Sequence, residues 1–426
     1  MTEQGQVFAK CAWRLIPFMG LLYLVSFIDR ANVGFAALTM NKDLAFSPTI
    51  FGFGAGLFSV GYALFQVPSN LVLERVGPRR WVFCIMIVWG ALSTANSLVQ
   101  GPLSFYALRF FLGVAEAGFF PGMILYLTYW FPRAHRARFI ALFMAAIPMS
   151  FIIGGPLSGA ILGLDGVFHL AGWQWLFLLE GLPSGLLALA VLKFLPDGPT
   201  QASWLSAGEK KIIVASLATE ASARHHDLWP ALCEPRVLAL GLVNFGILSG
   251  LYGVQLWLPQ IVQAMGFSNL ESGFVAALPF IVGMAAMIVW GRLSDARVER
   301  IWHLALPQLL AASGFAVASA TQDHLLMLVA LTLVLAGVLA ALGPMYSLVS
   351  SFLTGTAAAG GIALVVAIGT LGGFAGPTII GVLKKASGGY AASMAALSGL
   401  LVLTAAIVLA LGRTMASAPV VSQAKI

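Results

Sequence analysis

Four ionisable residues stand deep inside long apolar runs of this 426-residue chain: Asp29 and Arg30 in one run, Arg109 and Glu116 in another. A charged side chain held away from water is costly, so such residues are functional candidates by default. Their types define a chemistry. A guanidinium grips a carboxylate through two parallel hydrogen bonds, and a carboxylate takes up and releases a proton. Arg109 and Glu116 are two helical turns apart, which places them on one face, about 10 Å from each other along the axis. Asp29 and Arg30 are neighbours about 100° apart around a helix, so they can face different partners. All four are read as lining one cavity wall in the first half of the chain. The second half has no deep charge: Glu271, Asp295 and Lys384 fall near the ends of apolar runs. Its contribution must be polar and aromatic.

The elements that position these residues follow from composition. Hydrophobic residues make up 60% of the chain and charged ones 9%, with a mean hydropathy of +0.93. Soluble domains carry about 25% charged residues, so lipid must cover most of this surface. One span takes roughly 20 apolar residues. Apolar runs fall at 14–37, 50–73, 82–99, 104–129, 138–162 and 173–195, then at 237–261, 270–292, 302–320, 324–350, 357–383 and 390–412. An open chain in lipid must satisfy its own backbone groups, so each run is predicted to be a helix. The expectation is an all-α membrane protein of twelve transmembrane helices in two six-helix bundles, residues 1–200 and 237–426. A cytoplasmic linker over 201–236 joins them, with a helix-like stretch from Ser206 to Ala223.

Lysine and arginine set the expected orientation. With the N-terminus in the cytoplasm, eighteen of the 23 basic residues fall on that side, among them Arg75, Arg79, Arg80, Arg133, Arg136, Arg138, Arg224 and Arg292. The opposite side has Lys42, Lys384 and Lys385. This positive-inside bias predicts that both termini are cytoplasmic. The polar stretch Met1 to Lys10, followed by a run long enough to span, predicts no removable signal peptide. Cys11, Cys84 and Cys233 show no paired spacing for a disulfide or metal framework. The net charge of +7 does not mark a nucleic-acid binder, because the basic residues sit in loops between spans rather than on one soluble face. Enzyme readings lack parts: there is no phosphate-cradling Gly-Lys-Ser/Thr loop and no HExxH.

The two halves repeat. At an offset of 221 residues Gly20 meets Gly241, Gly52-Phe53 meets Gly273-Phe274, Glu74 meets Asp295, Trp81 meets Trp302, and Gly155-Pro156 meets Gly376-Pro377. Repeats of this kind favour alternating access, one bundle rocking against the other around a central site.

Asn70-Leu-Val-Leu-Glu-Arg-Val-Gly-Pro-Arg-Arg80 resembles the loop signature of the major facilitator superfamily, and Gly291-Arg-Leu-Ser-Asp-Ala-Arg297 resembles its second copy. Ile28 to Ala36, Leu108 to Gly122, Tyr126 to Pro132, Gly172 to Phe177, Trp257-Leu258-Pro259-Gln260 and Phe352 to Ala357 resemble the anion:cation symporter family. The resemblance covers nearly the whole chain. It implies the major facilitator fold, a bacterial inner-membrane location, a small organic carboxylate as cargo and proton coupling, with no cofactor and a monomeric state. It also implies that Asp29 and Glu116 accept protons while Arg30 and Arg109 hold the anion or pair with the carboxylates.

Charge counting supports that division. Two arginines and two carboxylates sum to zero, and a bound carboxylate leaves an unneutralised charge, unfavourable by roughly several kcal/mol in a buried site. One proton on Asp29 or Glu116 restores neutrality and frees an arginine for the anion, so proton and anion each favour the other's binding. The competing reading is two permanent ion pairs that hold spans 1 and 4 together.

Further candidates surround this centre. Tyr62 in span 2, Tyr252 and Gln255 on one face of span 7, and Tyr346 in span 10 are candidate substrate contacts, with helix packing as the alternative for each. Glu180 in span 6 reads as a tethered structural carboxylate. Glu74 with Arg75, and Asp295 with Arg297, read as charge latches of one conformation or as simple topology-setting charge. Gly154 to Gly159 in span 5 and Gly372 to Pro377 in span 11 read as close helix packing. The chain departs from the family pattern at Val366-Ala-Ile-Gly-Thr370, where relatives often carry two amides, and at Gln66, where they often carry glutamate. The first departure favours a less polar, aromatic or short-chain acid over a sugar acid. An exporter or exchanger, and a membrane sensor that binds without transport, are the alternative functions.

Overall fold

The computed structural model describes residues 3–221, 234–297, 299–352 and 355–417, and every structural statement below concerns these. The first half runs α1 (Glu3–Asp43), α2 (Pro48–Val76), α3 (Pro78–Ala95), α4 (Pro102–Glu116), α5 (Phe119–Trp130), α6 (Arg133–Ile161) and α7 (Gly172–Phe194). A connecting helix α8 (Ala207–Ala221) follows. The second half runs α9 (Pro235–Ala264), α10 (Asn269–Arg297), α11 (Ile301–Ala320), α12 (His324–Phe352), α13 (Gly355–Ser387) and α14 (Ala391–Ser417). With α4 and α5 counted as one interrupted span, twelve helical spans are long and apolar enough to cross a membrane. An even number of crossings leaves the two ends of the chain on one side.

The helices outrun the apolar runs that announce them: α1 begins at Glu3 rather than near residue 14, because a helix continues into water wherever polar residues still satisfy its turns. Junctions carry the expected chemistry. Ser47 Oγ accepts from the Ile50 N–H at the start of α2, with Pro48 in the first helical position. Between α2 and α3 the chain reverses at Gly77, whose φ of 92° lies where side chains are disfavoured. Asp197 Oδ1 then accepts from the Arg79 N–H at 2.9 Å and caps α3.

Part of the expected linker is an ordered helix pinned to the first half. Lys10 Nζ contacts Glu209 Oε1 at 2.8 Å, and Gln4 Nε2 donates to Ser216 Oγ at 2.8 Å. Residues 222–233, with Arg224 and Cys233, and the Leu353-Thr354 part of the span 10–11 motif lie outside the described residues.

The contacts that join the halves gather toward the end away from the termini. There α2 crosses α13 and α6 crosses α10. A Cβ on Gly155 would stand 2.6 Å from Gly273 O, and one on Gly52 would collide with Pro377 O. These are the residues the 221-residue offset relates: Gly52 to Gly273, and Gly155 to Gly376. One crossing is therefore the pseudo-symmetric mate of the other, and the small residues of spans 5 and 11 serve close packing, as expected. Phe151 stacks on Phe280 with centroids 4.0 Å apart, and Phe51 meets Trp257 edge-on at 5.1 Å. Asn41 Nδ2 donates to Gln260 Oε1 at 3.3 Å beside them.

Candidate functional site

Near the middle of α1 the Arg30 Nε–H donates to Glu116 Oε2 at 2.5 Å. Both side chains are buried, Arg30 7% and Glu116 0% exposed. The span predicted as one run over 104–129 is interrupted immediately after Glu116: α4 ends there and α5 starts at Phe119. Pro121 has no N–H to offer Ala117 O and its ring crowds that carbonyl; Gly118 fits close to α2, where a Cβ would collide with Ser69 Oγ. Glu116 Oε1 is left without a partner. The Arg30 guanidinium lies over three rings, 4.8 Å from Phe27, 5.1 Å from Phe58 and 4.8 Å from Tyr62. Such faces attract a cation without consuming its donors, and Nη2 of Arg30 has no partner.

Arg109 is buried and also free to act. Its guanidinium lies 5.2 Å from the Phe58 ring, and its Nε and Nη1 have no hydrogen-bond partner. Among the described residues no carboxylate comes within ion-pair distance of it. The reading of two permanent ion pairs is therefore corrected to one. Asp29 is held by donors of another kind: Trp89 Nε1–H at 2.5 Å, Asn32 Nδ2–H at 3.0 Å, and the Ser93 hydroxyl. Trp89 and Ser93 are one turn apart on α3, so Asp29 turns toward α3 while Arg30 turns toward α4. Asp29 remains within electrostatic reach of Arg109. Sequence reasoning missed these donors; only Asn32, one turn beyond Asp29 on the same helix, carried a legible signal.

Glu180 is a fifth buried ionisable group beside this set. It accepts from Ser158 Oγ at 2.8 Å, has an unpartnered Oε2, and lies within electrostatic reach of Asp29. The tether expected for it is present, and the count of four buried charges becomes five.

The second half supplies the facing wall. Gln255 is buried with neither amide atom bonded. Tyr62 and Tyr252 lie within electrostatic reach of Arg30, and Tyr346 of Tyr62 and Tyr252. Two residues absent from the sequence reading join them: Tyr23 on α1, within electrostatic reach of Arg30, and Asn244 on α9, buried, its Nδ2 donating to Val365 O at 3.1 Å and its Oδ1 unbonded. On α13 the Thr370 hydroxyl donates to Val366 O in its own helix, so it offers little to a ligand.

The latch pairs fall elsewhere. Asp295 pairs with Arg300 at 2.8 Å rather than with Arg297, which is exposed. Glu74 and Arg75 are exposed at the end of α2, with no ion pair among the described residues. The topology-setting reading fits this arrangement better than a closed latch.

Residues 19–377 match the family model described as Major Facilitator Superfamily. The chain belongs to the Major Facilitator Superfamily. Members of this superfamily are transporters, not enzymes. A protein of Agrobacterium vitis named, provisionally, a tartrate transporter is 49% identical over 96% of each chain. The quinolone resistance transporter of Acinetobacter baumannii is 40% identical over 93% of each chain. The inner membrane transport protein RhmT of Escherichia coli is 35% identical over 86% of each chain. Among solved structures, a bacterial homologue of the human lysosomal transporter Spinster superposes with a TM-score of 0.77 at 19% identity, covering 94% of this chain and 96% of the other. The xylose transporter XylE of E. coli gives 0.74 at 16% identity, over 93% and 97%. These last two share the major facilitator fold.

Proposed function

We propose that this protein carries a small, short-chain organic carboxylate across a bacterial inner membrane together with protons, by alternating access, with both termini in the cytoplasm. The observation that carries this reading is a set of buried, unpartnered polar atoms on both halves: Nε and Nη1 of Arg109, Nη2 of Arg30, Oε1 of Glu116 and the whole amide of Gln255. Buried polar groups are nearly always bonded, and an unbonded set at the centre of a bundle calls for a missing partner. Guanidinium donors and an amide opposite match a carboxylate. The relatives named for tartrate support a short acid, as does the loss of two amides on α13.

Proton coupling rests on neutrality. Two arginines face three buried carboxyl groups, so the resting set is neutral with one proton. Each carboxylate charge brought in calls for one more. Glu116 is the carrier of that proton, since its Oε2 holds Arg30 and its Oε1 is open. Protonation releases Arg30 toward the anion. Asp29, fixed by three donors, orients α1 against α3 and sets the field at Arg109.

The test is uptake into proteoliposomes by purified protein, with tartrate first in a panel of carboxylates. An imposed gradient, acidic outside, accumulates the substrate if the reading holds. Accumulation that requires only counter-substrate inside marks an exchanger, and binding without flux marks a sensor. The Acinetobacter relative's name favours testing export as well; an exporter drives quinolone into inverted vesicles and leaves tartrate unmoved.

A further inference from the structure

Beside the site described above, the end of the bundle that carries the termini holds a cavity of about 570 Å³. It is lined by Arg14 of α1, Arg79 at the start of α3, Lys193 near the end of α7, and the segment Gln201, Ser203 and Trp204. Three basic side chains from three different helices converge here. None of them forms an ion pair among the described residues. Asp197 Oδ1 accepts from the backbone N–H of Arg79 at 2.9 Å. Arg14 is held instead by an aromatic platform: its guanidinium lies 5.3 Å from the Trp204 ring, which stacks on Trp130 at 5.6 Å. That contact fixes the side chain while leaving its donors unspent.

The level of the cavity is set by helix geometry. Arg14 lies fifteen residues from Asp29 and Lys193 thirteen from Glu180, so both stand about 20 Å from the buried centre along their helices. Half the thickness of a bilayer with its headgroups is about 20–22 Å. The basic groups therefore sit at headgroup depth. Their neighbours agree: Trp13 is 82% exposed and Phe194 55% exposed on the outer surface, as aromatic residues at a membrane interface are.

We propose that this cavity binds a phosphoryl anion at the membrane surface, with Arg14, Arg79 and Lys193 as its charge partners. Gln201 and Ser203 add hydrogen-bonding capacity, and the exposed Trp13 and Phe194 flank the entrance where acyl chains lie. A bound headgroup ties α1, α3 and α7 together at the point where the connecting segment leaves the first half. The shared chemistry is a phosphoryl group; its source is an anionic phospholipid or soluble phosphate.

The experiment measures unfolding midpoints of the full chain in phosphatidylcholine nanodiscs, with increasing phosphatidylglycerol, and separately with inorganic phosphate added. The triple variant Arg14→Gln/Arg79→Gln/Lys193→Gln is compared. A shift with phosphatidylglycerol that the variant loses establishes the site with a lipid ligand. A shift with inorganic phosphate that the variant loses establishes it with a soluble one. Shifts of equal size in wild type and variant, or no shift with either ligand, overturn the proposal. If the triple variant does not fold, Arg79→Gln alone keeps the Asp197 cap and decides the matter. It is expected to weaken affinity about fivefold, the share of one basic residue at an anionic surface, and unchanged affinity would overturn the assignment.

Discussion

Replacing Glu116 by glutamine tests the central argument at its sharpest point. The substitution keeps the shape and removes the charge opposite Arg30, whose Nε lies 2.5 Å from Glu116 Oε2. Removing one partner of a buried pair costs about 3–5 kcal/mol in the empty protein, so its unfolding midpoint falls. The released guanidinium is then free for the cargo. A charge-assisted hydrogen bond contributes about 1.5–3 kcal/mol, so the variant is expected to bind the carboxylate about 10- to 150-fold more tightly at alkaline pH than the wild type. The wild type must take up a proton to do the same. Its dissociation constant should rise about tenfold per pH unit at the alkaline limit, while that of the variant stays flat. Isothermal titration across the pH range reads both. In proteoliposomes the variant should exchange labelled substrate but fail to accumulate it on a pH gradient. A variant whose affinity keeps the wild-type pH slope, or that accumulates substrate normally, refutes the role given to Glu116.

Arg109→Ala should weaken carboxylate binding by more than about tenfold, since at least one charge-assisted bond is lost, and unchanged affinity in the same titration would remove Arg109 from the site. Gln255→Leu removes two unbonded buried polar atoms, so stability should hold or rise by about 1 kcal/mol while substrate affinity falls; denaturation and binding measured on one preparation separate the two. Gly155→Leu places a side chain where a Cβ already lies 2.6 Å from Gly273 O, and should shift the halves away from this arrangement, read as longer spin-label distances between α6 and α10. Lys10 beside Glu209 holds its carboxyl below the usual glutamate range. That contribution to docking α8 on α1 is present above about pH 4.3 and is lost as pH falls through the lowered folded value. The protection of α8 amides, measured against their intrinsic exchange rates at each pH, should therefore fall in acid, and Lys10→Ala should show the lower protection already at neutral pH.

Much of the architecture was legible because lipid demands it. Twelve apolar runs became twelve spans, and the small residues related by the internal offset became the two crossings between halves. The interruption after Glu116 escapes the hydropathy pattern, which Ala117 and Gly118 leave unbroken, but Pro121 marks it, since a proline ends or kinks a helix before it. The ionic centre was legible by residue type but not by pairing. Helical spacing put Arg109 and Glu116 on one face, yet Glu116 reaches across to Arg30, and only the tertiary placement of α4, packed on α2 and α3, decides that. Two of the three donors to Asp29, Trp89 and Ser93, sit about sixty residues away on α3, beyond any spacing rule. Asp295 meets Arg300, a residue that lies beyond the end of the loop motif.

The gap at Ala117–Gly118 has a mechanical meaning. Ala117 and Gly118 keep right-handed helical angles, and the Ala117 N–H still donates to Val114 O, so the rod is loosened there rather than severed. Beyond it α5 stays seated, with Met123, Leu127 and Trp130 buried and the Tyr126 hydroxyl donating to Pro196 O at 2.7 Å. Gly118 fits against Ser69, where any side chain would collide, so the bend in span 4 is held directly beside Glu116.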